Sequence, residues 1–221
     1  MRILIFGATG MVGQGVLREA LGADDVSHVL SIGRSTNDAS HPKLRTLMHT
    51  DLLDYTTIEE QLTGFDACFF CLGASAMGMD EARYTHINHD IALTAGRVLS
   101  RLNPQLTFTY VSGAGTGSQS AMWARVKRRT ENDLLALPFK AAYMFRPGVI
   151  QPLHGARSKT PMYNAFYVLT SPLLSLARRL LPQYVLSTEE IGLAMLEVAR
   201  HGALKKVLET ADIRALVKQP L

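Results

Sequence analysis

A doubly wound parallel α/β sheet, with helices on both faces, is the fold this sequence predicts. Three observations carry that expectation. Strand-like apolar runs alternate with helix-period segments along most of the 221 residues. The opening run ends in a glycine-rich loop that leads straight into a helical pattern. No repeat of fixed period and no low-complexity linker divides the chain before the turn Arg146-Pro147-Gly148.

Taken in order, Arg2–Phe6 reads as the first strand, Met11–Leu21 as a helix and Ser27–Ile32 as the second strand. Further strands fall at Arg45–His49, Ala67–Leu72, Gln105–Ser112 and Ala141–Arg146, separated by helices near Tyr55–Leu62, Glu81–Leu102 and Ala121–Leu137. Strands that alternate with helices pair in parallel and are covered on both sides. Gly148–Pro161, rich in Pro, Gly and polar residues, reads as a long loop over the sheet. Tyr163–Leu181 is apolar but broken by Ser171, Pro172, Ser175, Arg178 and Arg179, so it predicts a substrate-covering cap and no transmembrane segment. The alternative for that stretch is protein or membrane contact, with Arg178 and Arg179 toward anionic headgroups. Thr188–His201 is an amphipathic helix begun by Ser187 or Thr188, with Glu189 and Glu190 in its first turn. Lys206–Glu209 would be a last strand and Asp212 the cap of a short final helix. The expectation is one domain over 1–221: a nucleotide-binding core, 1–147, then a cap or substrate region with the last sheet elements, 148–221.

Charge narrows the partners. A net +4, from 23 basic and 19 acidic residues, with no basic block longer than Lys127-Arg128-Arg129, argues against nucleic acid and leaves an anionic small ligand open. The N-terminal apolar run is too short for a secretory signal, and two cysteines suit a compartment without structural disulfides, so a cytoplasmic setting is expected. Cys68 and Cys71 form a C-x-x-C, but inside a strand-like run, where positions three apart face opposite sides of a sheet; that reads as structural.

The loop Gly7-Ala8-Thr9-Gly10-Met11-Val12-Gly13 sits between the first strand and the first helix. Gly7 permits a tight turn, Gly10 lets backbone approach a pyrophosphate, and Gly13 allows the helix to pack closely on the strand. The amides that open the helix, Met11 and Val12 among them, then offer donors and a partial positive charge to phosphates. The reading is a dinucleotide site. A site preferring NAD(H) usually has a carboxylate after the second strand to hold the ribose 2′-hydroxyl; here stand Arg34 and Ser35, which suit a 2′-phosphate and hence NADP(H). A solvated arginine at a strand end is the plainer alternative. Asp51 and Leu52, after the third strand, are placed to meet the adenine, and Leu72, Gly73 and Ala74, after the fourth, to leave room for the middle of the cofactor.

Together with Ser112 and Arg146-Pro147-Gly148, these motifs resemble the atypical short-chain dehydrogenase/reductase superfamily, and more narrowly its NmrA-like and Tat-interacting-protein-like NAD(P)-binding oxidoreductases. The resemblance covers roughly residues 1–150 and, more loosely, Val185–His201. It implies a Rossmann fold, NADP(H), and cofactor contacts that extend to Lys127, Pro147 and Gly148. It also implies a catalytic pattern in which a serine polarises a carbonyl and a tyrosine, four residues before a lysine, moves the proton. Ser112 and Lys127 fit two of those places; Asn88 resembles the helix asparagine that supports the site. Trp123 stands where the tyrosine should be. An indole N–H donates but does not ionise near neutral pH, so Trp123 cannot act as general acid or base. Tyr110, Tyr84, Tyr163 and Tyr167 are loose candidates for a replacement. Ser112 could instead cap local backbone, and Lys127 could belong to a solvated helix face.

His86, His89 and Asp90 lie within about one helical turn, yet without an independent fourth ligand they read as a polar surface face, and no metal is expected. No serine nucleophile elbow is visible. The expectation is an NADP(H)-dependent oxidoreductase or epimerase-like enzyme, monomer or homodimer, acting on a small molecule. The competing expectation, raised by Trp123, is a non-catalytic NADPH-binding redox sensor.

Overall fold

The computed structural model describes residues 1–36, 39–118, 120–157, 174, 178, 180 and 184–218. Seven parallel strands form one sheet in the order β3-β2-β1-β4-β5-β6-β9. They are β1 (Arg2–Phe6), β2 (His28–Gly33), β3 (Leu44–Met48), β4 (Ala67–Phe70), β5 (Thr107–Val111), β6 (Ala141–Arg146) and β9 (Val207–Glu209). β1 lies between β2 and β4, with Leu4 opposite Leu30 on one side and Cys68 on the other. This is the doubly wound Rossmann order with a seventh strand added. The order in which strands are added reverses between β1 and β4, which opens a crevice at the carboxyl ends of the strands.

Strand alternation sorts the core into two faces. Leu4, Phe6, Leu30, Ile32, Cys68 and Phe70 pack with α3 (Ile91–Leu102) and the 3-10 turn Thr56–Leu62. Ile3, Ile5, Val29 and Phe69 pack with α1 (Met11–Gly22) and α5 (Thr188–Arg200). Cys71 packs on that second face while Cys68 belongs to the first, so the C-x-x-C pair points to opposite sides as the pattern required, and both thiols are free. Ser187 caps α5, accepting from the Glu190 amide at 3.0 Å while the Glu190 carboxylate accepts from the Ser187 amide at 2.7 Å.

Three features differ from the expectation. The helix expected over Glu81–Leu102 is α2 (Glu81–Thr85) and α3, joined by one wider, π-type turn at His86–Asp90. The widening frees the Asn88 carbonyl, which accepts from the hydroxyls of Tyr110 at 2.9 Å and Thr130 at 3.3 Å. Inside the supposed loop, β7 (Val149–Gln151) pairs in parallel with β8 (Val185–Ser187) as a second small sheet. Asp212 is not a cap: it lies within α6 (Thr210–Lys218) and reaches back to the Glu209 amide at 3.1 Å. Most of Tyr163–Leu181 lies outside the described residues; of its arginines, Arg178 sits 3.9 Å from Glu190.

Candidate nucleotide and active site

Gly7 follows β1 at φ +78°, and a Cβ there would stand 2.7 Å from the Leu72 amide nitrogen. The turn therefore needs glycine for both conformation and space. A Cβ at Gly13 would lie 2.1 Å from the Gly7 carbonyl oxygen, so α1 can approach β1 this closely only with glycine in place. Gly10 is the N-cap of α1 in extended conformation; no side chain caps the helix and no acid stands in its first turn. Its opening amides thus have no intrahelical acceptor and no side-chain substitute. That is the donor set a pyrophosphate requires, and the cradle fits the group.

A contact not foreseen from sequence braces this loop. The Gln14 amide donates to the Thr9 carbonyl at 3.0 Å and to the Arg157 carbonyl at 3.0 Å, and accepts from the Arg157 amide at 3.1 Å. A residue of α1 thereby ties the glycine loop to the segment after β7. The partners are 143 residues apart, so no local pattern could reveal them.

Arg34 directly follows β2 and is exposed, and its guanidinium has no hydrogen-bond or ion-pair partner among the described residues. Ser35 follows it, also exposed. Asp51 accepts from the Leu53 amide at 2.9 Å and shapes the turn after β3. The Leu52 side chain is buried in the core with Tyr55 and Leu62, which leaves only its backbone to meet a ligand. Leu72 packs against the same core. Gly73 lets the chain pass close to the helix that carries Lys127 and to the π-type turn, since a Cβ there would come within 2.9 Å of Asn88 Oδ1 and 3.6 Å of Lys127 Nζ. Asn88 Oδ1 in turn accepts from the Ala74 amide at 3.1 Å, and its Nδ2 donates to the Tyr84 carbonyl at 3.2 Å.

Lys127 and Trp123 share one face of α4 (Met122–Leu135). Lys127 is buried, which rules out the solvated-face alternative; Nζ donates to the Val111 carbonyl at 3.0 Å and lies 4.7 Å from the Tyr110 ring centroid. Burial lowers its ammonium to about 8, against an opposing pull from Glu131. Trp123 flanks the loop after β5, its Cζ3 atom 3.9 Å from the place of a Cβ at Gly113. Ser112 Oγ lies 3.2 Å from Thr116 Oγ1, which donates to the Gly113 carbonyl at 2.7 Å. With that donor committed, Ser112 is the donor between the two hydroxyls, and polarising a carbonyl requires its proton to rotate away from Thr116.

The tyrosines offer little. Tyr110 is fully buried, its hydroxyl donated to Asn88, and burial pushes its ionisation far up. Burial likewise raises Tyr84 to about 12. Tyr163 and Tyr167 lie outside the described residues. Pro147 supports the Ser112 loop by accepting from the Ala114 amide at 2.9 Å. Gly148 serves packing, donating to Thr210 Oγ1 at 2.9 Å beside the Tyr184 carbonyl. His89 is not on a polar surface: it is buried, with Nδ1 2.7 Å from Asp90 and Nε2 2.8 Å from Asp133, clamping the π-type turn to α4.

Two further features went unseen in the sequence. Arg146, at the end of β6, grips Glu131 with two nitrogens at 3.0 and 2.5 Å and Glu209 with the third at 3.0 Å. A cavity of about 800 Å³ lies along the outer flank of α1, between Leu17, Leu21 and Ala39, and touches neither Ser112 nor Lys127.

A glycine turn, an uncapped helix start and a crevice where strand order reverses define a Rossmann-type dinucleotide-binding protein. Residues 3–143 match the NAD dependent epimerase/dehydratase family, and the chain belongs to that family, within the atypical short-chain dehydrogenase/reductases. Its cofactor class is accordingly a nicotinamide dinucleotide. Protein FMP52, mitochondrial, from Eremothecium gossypii is 27% identical over 226 residues, spanning 99% of this chain and 98% of that protein. Protein HTATIP2 from Rattus norvegicus is 26% identical over 152 residues, 67% of this chain and 62% of that one. The enzyme WbmF of Bordetella bronchiseptica, solved with NAD+, shares the fold at a TM-score of 0.68 and 14% identity, over 98% of this chain and 77% of that one. These relatives correct the cytoplasmic expectation, since several of the fungal ones are named mitochondrial. Two free cysteines fit any reducing compartment and so do not single out the cytoplasm.

Proposed function

We propose that the protein is an NADP(H)-dependent oxidoreductase or epimerase-like enzyme acting on a small carbonyl or alcohol. The observation that carries the cofactor preference is the end of β2, where Arg34 stands exposed without a carboxylate partner at the place a ribose-binding acid occupies in NAD-preferring sites. The α1 amides would hold the pyrophosphate, Arg34 and Ser35 the 2′-phosphate, and Lys127 the nicotinamide ribose. When bound, the reduced nicotinamide supplies a hydride. The substrate would lie between Ser112, the Trp123 and Lys127 face of α4, and the segment after Gly148.

Calorimetric titration with NADPH and NADH tests the preference. Losing one charge-assisted contact in Arg34→Ala should weaken NADPH roughly 10- to 150-fold and leave NADH unchanged. Equal affinities for the two, unmoved by the substitution, would reject the assignment.

Trp123 favours a second reading, a redox sensor that binds NADPH without rapid turnover and meets a partner through Tyr163–Leu181. NADPH consumption against a panel of carbonyl compounds separates the two. Turnover by the parent, abolished in Ser112→Ala and raised in Trp123→Tyr, supports the enzyme; binding with no turnover in either Trp123 form supports the sensor.

A further inference from the structure

We propose that Lys127 is itself the proton-transferring group of this site, taking the role Trp123 cannot fill, and that Arg146 positions its charge through Glu131. The inference rests on the oxidoreductase reading above. In the reducing direction the carbonyl carbon would take up the hydride that a bound reduced nicotinamide would supply, with oxidation of that nicotinamide. Lys127 gives one ammonium proton to the carbonyl oxygen: an N–H bond breaks, an O–H bond forms, and the C=O π bond is lost. Water then reprotonates the neutral amine.

The surroundings of the amine suit that work. Nζ lies 3.6 Å from the place of a Cβ at Gly73, held by the Val111 carbonyl at 3.0 Å and lying over the Tyr110 ring. Three candidates beside it are out of play: Tyr110 is locked to Asn88, Tyr84 is buried and raised to about 12, and Trp123 does not ionise. An ordinary lysine would be a poor acid, because its ammonium holds its proton too tightly. Here burial disfavours the charged form and brings it to about 8.

The charges facing Lys127 decide how far burial prevails. One turn along α4, Glu131 would restore the ordinary ammonium if its own charge were bare. Arg146 answers it with two hydrogen bonds and is itself shared with Glu209 on β9. Other charges on the packed elements are occupied elsewhere. Glu81 of α2 pairs with Arg125 at 2.8 Å, His89 of the π-type turn pairs with Asp90 and Asp133, and Arg83 and Arg129 are exposed. The Arg146–Glu131 pair is thus the charge contact that separates a proton donor from a mere ribose clamp.

Lysine 13Cε resonances followed by NMR from pH 6 to 11 read the amine directly, with Lys127 assigned by its loss in Lys127→Arg. Its midpoint should fall near 8, well below the remaining lysines. Glu131→Gln removes a negative neighbour and should lower the midpoint further, whereas Arg146→Gln bares Glu131 and should raise it; Arg146→Lys, which keeps the charge, should leave it in place. A merely structural role gives no such opposed shifts. On the best carbonyl of the panel, kcat should fall above the same midpoint and follow it in each variant. Lys127→Met should cost about 100-fold or more in kcat.

A Lys127 midpoint at the ordinary lysine value, or shifts of the same sign in Glu131→Gln and Arg146→Gln, overturns the proposal. So does turnover that survives Lys127→Met but is lost in Tyr163→Phe or Tyr167→Phe. No turnover by the parent on any carbonyl would instead overturn the oxidoreductase reading, and with it the proton's destination, while the titration would still report the charge arrangement.

Discussion

Lys127→Met should change the pH dependence of folding stability, which loss of a hydrated surface lysine would not. The ammonium ionises at 10.5 in the unfolded chain and at about 8 when folded, because burial removes its hydration. Between those values the unfolded chain binds the proton and the folded one does not, so stability rises with pH across that window. Below pH 8 the folded protein bears the full cost of a buried charge; above 10.5 it bears none. A gap of about 2.5 pH units, at about 1.4 kcal/mol each, is about 3 kcal/mol. Methionine is neutral at every pH and loses the hydrogen bond to the Val111 carbonyl, a pH-independent cost of about 1–3 kcal/mol. Urea unfolding by circular dichroism, parent against Lys127→Met, should therefore show their difference moving by about 3 kcal/mol in favour of the parent between pH 7.5 and 10.5. Titrations elsewhere in the chain cancel in that difference. Parallel stability profiles would refute the reasoning: they would mean that the amine is hydrated or paired in the folded protein, and that Glu131 outweighs burial.

Gly13→Ala places a methyl 2.1 Å from the Gly7 carbonyl, an overlap that only movement of the glycine loop can relieve; calorimetry should show NADPH binding lost, and differential scanning a lower Tm. Asn88→Ala leaves the Ala74 amide and the Tyr84 carbonyl without their side-chain partner, which should cost about 2–4 kcal/mol in urea unfolding and disturb the crevice beside Gly73. A loss under about 0.5 kcal/mol would mean that water replaces the amide at both atoms.

The parts of the molecule that the sequence made legible are those whose causes are local. Gly7, Gly10 and Gly13 are required by the geometry of one turn, and they lie where that geometry places them. Cys68 and Cys71 face apart because strand side chains alternate, and Ser187 and Glu190 cap α5 because three residues separate a hydroxyl from a carboxylate. Leu52 was half legible: its place after β3 could be read, but not that its side chain joins Tyr55 and Leu62 in the core. The π-type turn was hidden for a different reason. The acceptor it frees, the Asn88 carbonyl, is claimed by Tyr110 and Thr130, 22 and 42 residues away, and no helical period encodes that demand.

The same division explains why the chemistry was harder to read than the fold. A lysine four residues after the expected tyrosine position signals a place on a helix, but not the proton affinity of its amine. That affinity depends on Glu131 one turn along, on Arg146 at the end of another strand, and on Glu209 beyond it, 15 and 63 residues from the arginine. Each contact is a property of the closed sheet: β6 must lie between β5 and β9 before Arg146 can reach both carboxylates. Losing the tyrosine therefore need not empty the site of acid–base capacity. Where burial prevails over Glu131, the ammonium that elsewhere only assists a phenol becomes acidic enough to give up its own proton near neutral pH. Where it does not, Lys127 remains a cation that can clamp a nucleotide in the crevice, and the transfer must be completed by a group outside the described residues.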